Sequence, residues 1–190
     1  GVSVIRTDNL PGEEGYEVVC DADDAPRVFD TLLTRGVNAA PFGYRTWELL
    51  TTEAGTPLFE FELEGKIPNV AGVRNALDFE KGCYVGQEVV SKVENRGRPS
   101  ERLVGLRTEA VPEAGAAVFD GDSAVGEVTR GFEAPTLDAP AAVAYVGFET
   151  DGGVTVRVDG SEVAATVESL PLVDTAERSA RVPSYPEPNV

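Results

Sequence analysis

From Arg102 onward the chain is cut into short β-rich runs by Asp/Gly turns, and that rhythm constrains its fold more than any other feature. The runs are Arg102–Arg107, Ala116–Phe119, Ser123–Arg130, Ala141–Phe148, Val154–Val158 and Ser161–Leu170. Between them stand Asp120-Gly121-Asp122, Asp151-Gly152-Gly153 and Asp159-Gly160-Ser161, which supply the positive φ angles that tight hairpins require. Six strands at this spacing predict a small antiparallel β-barrel over residues 101–172, with a sandwich as the other solution.

The first half reads differently. Val2–Arg6 and Tyr16–Cys20 alternate like strands around the turn Asp8-Asn9-Leu10-Pro11-Gly12. Ala25–Arg35 carries Val28, Phe29, Leu32 and Leu33 at helical spacing and ends at Gly36, a natural C-cap. Phe42–Glu53 is a second helical pattern, with Trp47, Leu49 and Leu50 for packing. Strand, strand and helix in this order predict an α+β chain in which residues 1–80 form part of a ferredoxin-like domain. Within it, residues 55–80, punctuated by Pro57, Gly65, Pro68 and Gly72, read as an irregular connector. Residues 81–100 join the two parts, with a short helix over Val85–Val93, and 173–190 read as a surface or disordered tail containing Pro183, Pro186 and Pro188.

Composition removes several classes of function. The formal net charge is −17, from 33 acidic and 16 basic residues, and only three of the latter are lysines. That balance fits a surface kept hydrated at high salt, as in a halophilic source. It leaves no basic footprint for nucleic acid. A local patch at Arg96, Arg98, Arg102 and Arg107 would reach only about 3 Å at molar salt. With no histidine and two cysteines, Cys/His zinc sites and histidine-based catalysis are excluded within the chain. No apolar run approaches 18 residues, so no membrane span is expected and a cytoplasmic location is. The chain starts at Gly1 and has no methionine, so further sequence is expected upstream.

The most specific chemistry lies in Lys81-Gly82-Cys83-Tyr84-Val85-Gly86-Gln87-Glu88, followed by Arg102-Leu103-Val104-Gly105-Leu106. A thiol works as its thiolate, favoured by a nearby cation such as Lys81 and by the start of a helix. A buried cysteine acting as a small hydrophobe is the plain alternative at Cys83, and the better reading at Cys20. The octapeptide resembles the signature of YgfZ-type folate-binding proteins, relatives of the glycine-cleavage T-protein. On that resemblance Cys83 is the functional thiol with Lys81 beside it, and Tyr84, Gln87 and Glu88 belong to the same site.

Two further segments resemble the T-protein family. Gly12-Glu13-Glu14-Gly15-Tyr16-Glu17 is similar to its Gly-Glu-x-Gly-aromatic-Glu element, which implies that Glu17 accepts the amino-pyrimidine edge of a pterin. The stretch from Gly43 to Gly55 resembles its Gly-x-x-Ala-Arg-Asp-x-Leu-Arg-Leu-Glu-Ala-Gly run, which implies that Arg45 pairs with a folate carboxylate, though an internal salt bridge is the plain alternative. Tyr44 and Trp47 could stack on a pterin, but core packing is commoner for such rings. Gly126-Glu127-Val128-Thr129-Arg130-Gly131 is similar to the family's barrel element. The resemblance therefore implies tetrahydrofolate as ligand, completed by an upstream half of the same polypeptide. Its first functional implication is an accessory protein for iron–sulfur cluster assembly or repair, indirectly supporting tRNA modification, with cluster proteins as partners. The alternative is a tetrahydrofolate-dependent aminomethyltransferase working with a lipoyl carrier protein. A third is an interaction module with a vestigial pocket.

Overall fold

The barrel closes. This computed structural model, which describes residues 1–96 and 98–185, has the strands β3 (Glu101–Thr108), β4 (Ala117–Asp120), β5 (Ser123–Ala134), β6 (Ala139–Gly147), β7 (Gly153–Val158) and β8 (Ser161–Glu168). They run in the closed order β3-β6-β5-β4-β7-β8, with every neighbouring pair antiparallel. Before them come β1 (Val2–Arg6), β2 (Tyr16–Cys20), α1 (Ala25–Arg35), α2 (Tyr44–Glu53), α3 (Pro68–Ala71) and α4 (Gln87–Arg96). The α+β class and the six-stranded barrel expected from sequence are both present. Gly97, Pro186, Pro188 and the side chain of Arg96 lie outside the described residues.

Strand alternation fills the barrel. Val104 and Leu106 of β3, Ala142, Ala144 and Val146 of β6, and Val154 and Val156 of β7 point inward to one core. The opposite face of β6 is covered too: Val143 and Tyr145 pack with Leu103 and Val70, and Ala141 packs with Leu172. Burial on both faces explains why Ala141-Ala142-Val143-Ala144-Tyr145-Val146 reads as a continuous apolar run of mostly small residues.

What covers β6 corrects the sequence reading of residues 55–80. The segment is no loose connector: Thr51 to Pro57 is buried throughout, a wide helical turn spans Phe59–Leu63, and α3 follows. Glu62, 1% exposed, anchors this layer. One of its oxygens accepts from Thr129 Oγ1 at 2.8 Å and from Arg130 Nε at 2.8 Å, and the other accepts from the Leu58 N–H at 2.9 Å. Arg130 spends its remaining donors on Thr51 Oγ1 at 3.3 Å and the Thr56 carbonyl at 3.1 Å. Tyr145 donates its hydroxyl to the Glu62 carbonyl at 2.8 Å. The pair is desolvated yet fully hydrogen-bonded, the condition under which a buried ion pair is tolerated.

The tail is likewise built in. Residues 173–185 run back over the first half: Ala176 N–H donates to the Gly12 carbonyl, Glu177 receives Arg6 and Asn9, and Ser179 donates to Asp8. Ser184 pairs with Val73, and Tyr185 sits between α3 and the barrel. The Tyr185 hydroxyl donates to the Val70 carbonyl at 2.8 Å and accepts from the Leu103 N–H at 2.7 Å, with its ring edge-on to Phe148. Among the described residues, the arginines of the expected basic patch are engaged elsewhere. Arg102 holds the Phe148 and Thr150 carbonyls, Arg98 pairs with Glu149, and Arg107 pairs with Glu168.

The β1–β2 hairpin and α1 are the opposite case. Val4 and Tyr16 are 63% and 57% exposed, and Phe29 on α1 is 54% exposed. Helix α1 buries none of its residues. Its end departs from expectation as well: Gly36 has φ −70°, so it is extended and not left-handed, and its lack of a side chain is needed because a Cβ would lie 2.3 Å from the Leu32 carbonyl. No helix among the described residues is long and apolar enough to cross a membrane.

Removing one member of the Glu62–Arg130 pair strands the other in a dry site. Glu62→Leu or Arg130→Met is expected to cost about 3–5 kcal/mol in chemical denaturation, and the double variant clearly less than the sum of the two. Additive losses would show that the pair is not coupled. Burial pushes the phenols of Tyr145 and Tyr185 well above the usual range, which for Tyr185 outweighs the opposing pull of the Leu103 N–H and Arg102. The folded state therefore keeps both protons after the unfolded chain has lost them. Their contribution is complete below about pH 10 and declines as pH rises further, by up to about 1.4 kcal/mol per pH unit for each ring. Tyr185→Phe should be less stable at neutral pH and show a shallower alkaline decline, and an unchanged slope would refute the assignment.

Candidate functional site

Two cavities take up most of the residues singled out in the sequence, and they share no lining residue. The first, about 670 Å³, lies between α2 and the barrel. Helix α2 contributes Arg45, Glu48, Leu49 and Thr52, which recur at helical spacing on one face. Phe61 comes from the turn below, and Thr129, Arg130, Phe132 and Glu133 come from β5. The β3–β4 loop closes the mouth with Pro112 and Glu113. That loop approaches β5 so closely that a Cβ on Gly131 would lie 1.9 Å from the Pro112 carbonyl. The two arginines of this cavity have different fates. Arg130 is 7% exposed and consumed by Glu62, Thr51 and Thr56, with its guanidinium 5.3 Å from the Phe61 ring centre. Arg45 is exposed and has no ion-pair partner among the described residues.

The second cavity, about 690 Å³, lies between the 78–84 loop and α4. Its walls carry Lys81, Tyr84, Gln87 and Glu88 from the octapeptide, with Phe79 before them and Lys92 and Asn95 further along α4. The loop is pinned by Asp78, whose carboxylate accepts from the Glu80 and Lys81 backbone N–H groups. Gln87 Oε1 accepts from the Tyr84 N–H at 3.2 Å, closing the turn into α4.

The structure thus separates residues that the sequence reading placed in one site. Arg45 lines the first cavity; Lys81, Tyr84, Gln87 and Glu88 line the second; Glu17 and Cys83 line neither. Cys83 is exposed on the loop, and α4 begins only at Gln87, four residues further on. The Lys81 ammonium lies 5.1 Å from the centre of the Tyr84 ring. Glu17 is exposed on the hairpin opposite Ile5. Among the described residues no group of three metal-ligating side chains converges. Counted back from Glu53-Ala54-Gly55, the two arginines of the T-protein run fall on Trp47 and Thr51. Arg45 therefore has its claim to a ligand from lining the cavity and not from that register. Glu62 and the Phe59–Leu63 turn escaped the sequence reading altogether, because Glu62 is one of three alternating glutamates, with Glu60 and Glu64, and nothing local points it at β5.

Residues 101–174 match the model of the glycine cleavage T-protein C-terminal barrel domain. An aminomethyltransferase of Streptomyces avermitilis is 35% identical over 182 residues, covering 90% of this chain and 49% of the relative. One from Cutibacterium acnes is 36% identical over 180 residues, and one from Geobacillus thermodenitrificans 34% over 184. Among solved structures, the glycine cleavage system aminomethyltransferase T of Bartonella henselae superposes with a TM-score of 0.78 at 28% identity, over 90% of this chain and 49% of that one. The chain spans about half the length of the relatives it matches. These likenesses overturn the iron–sulfur accessory role as the leading reading, since relatives along nine-tenths of the chain are named aminomethyltransferases. With residues 101–174 matched to that barrel domain and nine-tenths of the chain similar in sequence and fold to aminomethyltransferases, the chain is similar to the C-terminal, barrel-bearing half of the glycine-cleavage T-protein superfamily.

Proposed function

We propose that this chain is the barrel-bearing part of a tetrahydrofolate-dependent aminomethyltransferase, which moves a one-carbon unit from a lipoyl-carried intermediate to tetrahydrofolate. The observation that carries the reading is a likeness running along 90% of the chain, at 35% identity, to a protein named for that activity. The chemistry of the cavity beside α2 fits a folate. Phe61 and Phe132 offer ring faces, Glu48, Glu113 and Glu133 can accept from an amino-pyrimidine edge, and Arg45 is a cation for a carboxylate. Tetrahydrofolate, when bound, supplies the nitrogen that receives the carbon unit.

The exposed hairpin and α1 fit the same reading. Two strands whose faces are lined by Val2, Val4, Ile5, Val18 and Val19 cannot bury themselves. The relatives are twice as long, and their additional length is the natural source of the cover. Glu17, on β2, would then lie inside a completed layer and not on a surface. A lipoyl-bearing protein is the partner that this chemistry requires.

Binding is the appropriate test. Trp47, the single tryptophan, sits half-buried on α2 and should report tetrahydrofolate as a change in fluorescence. Arg45→Ala should weaken that binding about tenfold or more, the usual value of a charge-assisted hydrogen bond, without altering the thermal midpoint, because the side chain is exposed. Failure of the wild-type chain to respond to tetrahydrofolate would defeat the proposal.

A further inference from the structure

We propose that the cavity between the 78–84 loop and α4 is a binding site for a small aromatic anion, a flat ring bearing a carboxylate or a phosphate. It is distinct from the cavity beside α2 and does not rest on the tetrahydrofolate reading.

Charge placement is the first reason. The chain carries a net charge of −17 and only three lysines, and two of them, Lys81 and Lys92, line this one cavity. The third, Lys66, is held by Glu101 at 2.6 Å. Among the described residues neither Lys81 nor Lys92 is ion-paired, although carboxylates outnumber cations two to one. Two unpaired ammonium groups facing one space are a site for negative charge, and their long stems allow both to close on it.

Shape and hydrogen bonding supply the rest. At about 690 Å³ the cavity falls in the range of small-molecule sites. Phe79 and Tyr84 line it while remaining 60% and 39% exposed; Phe79 offers a ring for stacking, and Tyr84 keeps the face that the Lys81 ammonium, 5.1 Å from its ring centre, does not cover. On α4, Gln87, Ser91 and Asn95 recur every four residues and form one polar face. Their internal bonds leave the donors free: Gln87 uses its oxygen on Tyr84, so its amino group is unspent, and Ser91 Oγ accepts from Asn95 at 2.9 Å, so its own proton is unspent. The two carboxylates of the lining do not cancel this. Asp78 and Glu88 balance the two lysines in formal charge, but neither is ion-paired with them. Asp78 Oδ1 is turned to the Glu80 and Lys81 backbone N–H groups of its own loop, which leaves both ammonium groups free to close on a ligand.

The test uses backbone NMR of the 190-residue chain with four probes: 4-aminobenzoyl-glutamate for a carboxylated ring, adenosine 5′-monophosphate for a phosphorylated ring, and 4-aminobenzamide and glutarate as ring without charge and charge without ring. At least one of the first two should shift resonances of residues 79–95, more tightly than either control, and whichever binds identifies the anionic group. The variant Lys81→Gln/Lys92→Gln should lose about tenfold in affinity for each lysine. Both side chains are exposed, so its spectrum should otherwise be unchanged. Tyr84→Leu, with both lysines kept, should lose affinity for the ring while leaving the salt dependence intact. Equal binding of a control, shifts confined to α2, binding that ignores both lysines, or no binding by either anion would each overturn the proposal.

Discussion

The fold turns on one carboxylate. Glu62 is separated in sequence from its partner Arg130 by 68 residues, and through it the helical layer is fastened to the barrel. The charged groups at the junction are each held: Glu62 takes Thr129, Arg130 and the Leu58 N–H, while Arg130 reaches on to Thr51 and Thr56. A hydrophobic seam could have joined the same surfaces with equal stability, since desolvating two charges offsets most of their attraction. What the ion pair adds is position. A guanidinium fork satisfied on three sides fixes the C-terminal turn of α2, and with it the cavity wall that carries Arg45.

Against that joined core stands a first layer that is formed but uncovered. Strands β1 and β2 pair over five residues each, yet both faces remain open, and α1 presents Phe29, Leu32 and Leu33 to solvent. Such a layer holds its shape here through its far ends. The 173–185 segment ties Arg6, Asp8, Asn9 and Gly12 to the body of the protein, and Gly12 itself lies against Thr175 and Ala54, where a Cβ would come within 2.6 Å of the threonine methyl. The anchoring is polar and local, and it leaves the apolar faces open.

The barrel was legible in the sequence because its information is local. Alternation and Asp-Gly turns specify the β4–β5 and β7–β8 hairpins within about ten residues, and Asp159 with Gly160 adopts positive φ as the turn signal implies. Helices α1 and α2 were legible for the same reason, to within two residues at the start of α2, and α4 to within three at its end. What failed depends on distant partners. Tyr185 looks like tail composition until Val70 and Leu103 are placed beside it. The 55–80 stretch looks irregular because its helical turns are short and its burial comes from the barrel. The octapeptide and Arg45 are both conspicuous in sequence, yet nothing local tells that they face different cavities.

The motif Gly126-Glu127-Val128-Thr129-Arg130-Gly131 shows how a signature can encode a junction and not a ligand. Consecutive strand residues normally point to opposite faces, so Thr129 and Arg130 should not both reach Glu62. They do because the β5–β6 register slips between Val128 and Arg130, leaving Thr129 as a bulged residue. The flanking glycines have the same origin in crowding. A Cβ on Gly126 would lie 2.1 Å from the Tyr145 carbonyl, and on Gly131 it would strike the Pro112 carbonyl. Close approach at both ends holds β5 tightly against its neighbours, while the bulge turns two successive donors onto one oxygen. Gly126, Thr129, Arg130 and Gly131 therefore follow from fastening a barrel to a helical layer, and the ligand chemistry is left to side chains, Arg45 among them, that the junction sets in place.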